Sequence, residues 1–147
     1  MLKIETSTHI NRPVDEVFDY LADPAKLPEW NTIVESATPS ETPIRAGTTV
    51  RLRARFLGKK IEATQEVTEF ERPKRYVNKT NKPFPLATTT TVTAEGGGSK
   101  VVATYDAEPG AFFRFGESIV GKIAKKQLQA QLDTVKDILE ALVPAER

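Results

Sequence analysis

The sequence predicts an α+β fold in which a seven-stranded, curved antiparallel sheet holds one long C-terminal helix. Three observations predict it. First, Ala111 to Val143 reads as one helix, with Gly121, Ala124, Leu128, Leu132, Val135, Leu139 and Leu142 at steps of three and four. Pro109-Gly110 precedes it and Pro144 stops it. At about 30 residues it would be roughly 45 Å long, and its single apolar stripe needs one long surface to lie on. Second, the stretches before it alternate with period two, as half-buried strands do. Third, the only other helical patterns are two short ones after the first strand.

The elements follow in order. Ile4, Thr6, Thr8 and Ile10 alternate with charged and polar neighbours, giving a first strand over 3–10. Pro13 opens a helix whose face is Val14, Val17, Phe18 and Leu21, and Asp15 and Glu16 suit its positive end. Asp23-Pro24 caps a second short helix ending near Trp30. A weak strand covers 33–36. The clearest strand is 48–57, with Val50, Leu52, Ala54 and Phe56 on one face and Arg51, Arg53 and Arg55 on the other. Gly58-Lys59 suits a two-residue turn, which would pair Phe56 with Ile61, Arg55 with Glu62 and Arg51 with Glu66. Strands at 60–70, 75–80, 86–94 and 100–107 complete the sheet, the last two joined through Gly96-Gly97-Gly98.

With 147 residues, 39% hydrophobic and 28% charged, the chain reads as one domain over 1–147. Net charge of +1 gives no electrostatic case for nucleic acid. The absence of cysteine excludes disulfides, thiol nucleophiles and thiolate metal sites. The alternating start, MLKIETSTHI, is not a signal peptide, and no apolar run reaches membrane-spanning length, so the expected location is cytoplasmic.

Three stretches, taken together and in order, resemble a known family: INRPVDEVFDYLADPAKLPEWN, GTTVRLRARFLGKKIEATQEVTEFERPKRY, and GGGSKVVATYDAEP before the final helix. They are similar to the START-like (SRPBCC) superfamily, in its polyketide cyclase/dehydrase and lipid-transport branch. The resemblance implies a helix-grip fold, with a cavity between the sheet and the C-terminal helix.

The chemistry available is limited. His9 is the single histidine and falls on the outward parity of its strand, so a histidine-based acid–base pair, a triad or a histidine metal site is not expected. No metal or cofactor is expected. Parity instead points Leu52, Ala54, Phe56, Ala63, Gln65, Thr90 and Tyr105 inward, with Tyr76 and Asn78 beside them. Alternation of turns between the two ends of the sheet gathers Trp30, Phe56, Phe84, Phe112, Phe113 and Phe115 at one end, as a pocket mouth or a plug. Ile119 and Ile123 of the long helix complete the expected ligand-binding set. The small residues Gly121 and Ala124 either mark unfilled space or permit close packing. The expected function is binding of a small apolar or lipid-like molecule, as a carrier or sensor. One alternative is a polyketide cyclase/aromatase-like enzyme without metal or nucleophilic triad. A second is a membrane or protein interaction module using Arg114, Lys122, Lys125 and Lys126 with Phe112 and Phe113.

Overall fold

A computed structural model describes residues 1–141. Its seven strands are β1 (Leu2–Ile10), β2 (Val34–Pro39), β3 (Thr49–Phe56), β4 (Lys59–Glu71), β5 (Arg75–Thr80), β6 (Leu86–Glu95) and β7 (Gly98–Ala107). They form one sheet in the order β1-β7-β6-β5-β4-β3-β2, and every pairing is antiparallel. Helix α1 (Val14–Ala22), a 3-10 turn (Pro24–Lys26) and the short helix α2 (Leu27–Trp30) connect the two edge strands, and α3 (Glu117–Ala141) follows the sheet. This is the α+β helix-grip architecture expected from the sequence.

The amphipathic face of α1 folds as its spacing dictates, with Val17, Phe18, Leu21 and Ala22 buried. Asp23 then accepts a hydrogen bond from the Ala25 N–H at 3.0 Å, which caps the 3-10 turn and redirects the chain. Asn31 delays the next strand: its side-chain oxygen accepts from the N–H groups of Ile33 and Val34 at 3.0 and 3.2 Å. β2 therefore starts at Val34 rather than Ile33 and runs on to Pro39, a proline tolerated because β2 is an edge strand.

The β3–β4 hairpin corrects the expected register by two residues. Its turn is Leu57-Gly58, both at positive φ (50° and 77°), and Phe56 pairs with Lys59, Ala54 with Ile61 and Arg53 with Glu62. A two-residue slip preserves parity, so each side chain keeps its expected face. The expected charge pairing is lost: Arg55 lies opposite Lys60 and Arg51 opposite Thr64. Arg55 instead reaches Glu35 on β2 at 3.6 Å.

The long helix starts later than its sequence pattern. Gly110 turns at φ 54°, the Phe112 N–H donates to Pro109 at 2.9 Å, and the first helical bond runs from Val120 N–H to Gly116 at 3.0 Å. The segment 111–116 is spent on seating Phe113, which is buried. α3 has 25 described residues, about 38 Å of helix. Val120, Ala124, Leu132, Val135 and Leu139 are buried along it; Leu142, Val143 and Pro144 lie outside the described residues. α3 packs chiefly on β1. A Cβ added to Gly121 would lie 2.8 Å from the Leu2 side chain, so this glycine serves close packing rather than open space.

Two apolar clusters fill the interior. One joins α1, Trp30, Tyr76 and the far half of α3 through Phe18, Leu132, Val135 and Leu139. The other joins Ile4, Phe56, Phe113, Val120 and Ala124 near the start of α3.

Candidate functional site

Between the clusters lies a cavity of about 220 Å³. The period-two alternation of β3 to β6 supplies its floor, presenting Leu52, Ala54, Ala63, Gln65, Asn78 and Thr90. Tyr76 and, from β7, Tyr105 add two phenols. The roof is the α1–α2 segment, through Leu21, Ala22, Leu27 and Trp30, and Phe84 of the β5–β6 loop closes one end. Among the described residues no side chain of α3 lines it, which corrects the expectation of a cavity between sheet and helix. The reason is lateral placement: α3 covers β1, while the concave faces of β3 to β6 are left to the shorter roof.

Nine expected site residues therefore line one space: Trp30, Leu52, Ala54, Gln65, Tyr76, Asn78, Phe84, Thr90 and Tyr105. Five do not. Phe56, Phe112 and Phe113 pack on one another and on Phe84, with ring centroids 5.0–5.7 Å apart, several of them edge to face. They form a plug beside the cavity rather than a mouth over it. Ile123 packs in the same cluster. Ile119 is 50% exposed, because it precedes the buried Val120 by one residue and so points about 100° away around the helix. Phe115 is also exposed, and Trp30 belongs to the other cluster, so the expected six-ring gathering reduces to four. Of the two rings expected on the surface of an interaction module, Phe113 is buried and Phe112 half-buried in the plug.

Strand parity alone could have found Val50, Ile61, Val67 and Thr88, which also line the cavity. The roof residues carry no such signal, because their inward position depends on where α1 lands.

The wall is mostly apolar, and its polar groups are uncharged apart from Asp23, whose carboxylate is engaged in the cap described above. The Tyr76 hydroxyl donates to the Leu21 carbonyl at 3.1 Å, and burial pushes its pKa up to about 12. Burial likewise pushes the Tyr105 phenol up. Both stay neutral at physiological pH, as donors rather than bases. Two buried polar atoms of lining residues, Trp30 Nε1 and Asn78 Oδ1, have no hydrogen-bond partner among the described residues. Such atoms cost free energy unless something pairs with them, and a bound molecule is one such partner. The arrangement can desolvate, orient and hydrogen-bond a guest. Asp23 apart, the polar groups of its described lining are amides, hydroxyls, phenols and an indole.

No curated protein sequence matches the chain. Solved structures do. A protein from Thermus thermophilus, TTHA0849, is similar at 22% identity and a TM-score of 0.78, over 96% of this chain and 99% of that one. A START superfamily protein from Mycobacterium smegmatis aligns at 12% identity and a TM-score of 0.80, over 97% and 100%. The di-domain ARO/CYC StfQ from the steffimycin biosynthetic pathway aligns at 15% identity and a TM-score of 0.76, over 95% of this chain and 51% of its own. At these identities the likeness establishes the fold. Among the described residues no helix is long and apolar enough to cross a membrane. The model of the family described as polyketide cyclase/dehydrase and lipid transport matches residues 1–140, and the chain belongs to that family.

Proposed function

We propose that this chain binds a small, mostly apolar molecule in the cavity, as a carrier or sensor. The observation that carries this reading is the cavity itself: about 220 Å³ of space walled by side chains such as Leu52, Ala54, Val67 and Trp30. Protein interiors are otherwise close-packed, so space of this size is a feature of the fold rather than slack. It is below the roughly 300–1,000 Å³ of drug-sized sites, which favours a compact guest or an extended chain. A neutral apolar dye, N-phenyl-1-naphthylamine, should bind saturably to the native protein and change the emission of Trp30, the single tryptophan, which lines the cavity. It should also raise Tm, since a ligand that prefers the folded state stabilises it. Ala54→Phe fills the space and should abolish binding while the protein remains folded. Absence of saturable binding to the wild type would overturn the reading.

A second reading, an enzyme that folds and cyclises a polyketide-like substrate, is favoured by the unpaired Asn78 Oδ1 and Trp30 Nε1. Such a site would act by holding one reactive conformer. Its test is product formation from a poly-β-ketone mimic, lost in Asn78→Leu but retained in a surface variant such as Lys126→Gln.

A further inference from the structure

The sheet is split next to the cavity. β4 begins at Lys59, but its ladder with β5 begins only at the Glu66–Lys79 pair. Residues 60–65 therefore pair with β3 alone, and the β5–β6 loop stands across the gap. Leu52, Ala63 and Thr80 border the apolar cavity on one side and a second hollow, of about 740 Å³, on the outer face of the sheet. Leu52 and Ala63 are partners across the β3–β4 ladder beside the split, and Thr80 ends β5 on its other side.

The outer hollow has the opposite chemistry. Arg51, Arg53 and Lys82 line it, together with hydroxyl-bearing residues including Ser36, Thr38 and Thr64. Glu62 is the one carboxylate in its described lining. None of the three cations makes an ion pair among the described residues, whereas their neighbour Arg55 pairs with Glu35 at 3.6 Å. The register accounts for Arg51, which faces Thr64 across the ladder and Thr38 on its other side; Arg53 lies opposite Glu62 in the ladder without an ion pair between them among the described residues. Arg51 and Arg53 share a face two residues apart and repel one another, which an anion placed between them would relieve.

We infer that the molecule held in the cavity carries an anionic oxygen group, a carboxylate or phosphate-type head, which sits in the outer hollow on Arg51, Arg53 and Lys82. The inference rests on the ligand-binding reading above. Its logic is a division of labour. No cation lines the inner cavity among the described residues, so a charge carried inside would be buried without a partner. At the split the same molecule can leave its apolar part inside and its charge outside, where guanidinium forks and hydroxyls bind oxyanions well.

Displacement of N-phenyl-1-naphthylamine by octanoate, 1-octanol and octylammonium at neutral pH and low salt tests it. Octanoate should bind about tenfold more tightly than 1-octanol, a charge-assisted gain, with octylammonium weakest. Added salt should shrink the advantage. In the variant R51Q/R53Q/K82Q, octanoate should fall to the level of 1-octanol, while the dye and the alcohol bind as in the wild type. The three single Gln variants should give graded losses, which keeps the test intact if the triple variant is unstable. Equal affinities for octanoate and 1-octanol in the wild type would overturn the head-group proposal and leave the cavity reading standing. So would an advantage that survives in the triple variant. If acetate or inorganic phosphate abolished the octanoate advantage at comparable concentration, the hollow would be a separate anion site and the proposal would fall. Failure of the dye to bind at all would overturn both readings.

Discussion

Leu132 and Gln131 are adjacent on α3 and both buried, at 4% and 3% exposure, yet their burial has different origins. Leu132 packs into the cluster of Phe18, Val135 and Leu139. Leu132→Ala should lower stability by about 2–5 kcal/mol, read as a shift in denaturant midpoint without change in slope. Gln131 is buried beside Thr32, to whose hydroxyl its amide donates at 3.3 Å, while its Oε1 has no partner among the described residues. Spacing in the sequence picks out Leu132, because apolar periodicity reports the face a helix buries. It passes over Gln131, because nothing local says that the start of β2 will lie against that turn. The same distinction runs through the site. Strand parity places Gln65, Asn78 and Tyr105 on the cavity wall, where the fold has them. Trp30 and the Phe112–Phe113 pair lie on connecting segments, whose partners parity does not fix, and they end in different clusters.

At the scale of elements, the β3–β4 hairpin shows why parity is easier to read than register. A turn at Gly58-Lys59 would match arginines to glutamates, but exposed ion pairs contribute little, about 0–1 kcal/mol each. Turn geometry decides instead, and a two-residue turn with both φ values positive fits the twist of the strands. Leucine rarely adopts that conformation, so Leu57 hides the turn from a reading of the sequence. Gly58 carries φ 77° with no neighbour close to an added Cβ, so backbone strain is the sole penalty for a side chain there. Gly58→Ala should cost about 1–2 kcal/mol, measured by urea unfolding, and should leave cavity binding intact. Gly98 has a different constraint: an added Cβ would stand 2.5 Å from the Ile10 carbonyl, where β7 meets the end of β1.

Across the whole molecule, charge ties distant parts of the chain together. Arg72, in the β4–β5 turn, grips Asp19 of α1 through two bonds of 2.7 and 2.8 Å, which holds the Asp19 carboxyl below the usual range. Lys136 at 2.8 Å and the Asn11 N–H at 2.8 Å do the same for Glu140, fastening α3 to the end of β1. A carboxylate whose folded pKa is depressed contributes stability above its unfolded pKa and loses it as pH falls through the folded value. Stability should therefore hold from neutrality down to about pH 5 and decline below about pH 4. Arg72→Gln should flatten part of that acid slope in urea midpoints taken across the range. Both pairs are largely solvated, so each effect should be small.

The strand order has a consequence for how the molecule is made. Among the described residues β1 pairs with β7 alone, with Leu2 against Ala107 and Ile10 against Ser99, and its covering helix is α3. During synthesis β1 emerges ahead of the other six strands, yet its partner β7 is the last of them to appear. β2 to β6 can meanwhile zip neighbour to neighbour. The earliest of these seven strands is thus among the last to dock, and the sheet closes like a clasp rather than growing from β1. Long loop closure of this kind places folding toward the slower, millisecond-to-second range of small domains.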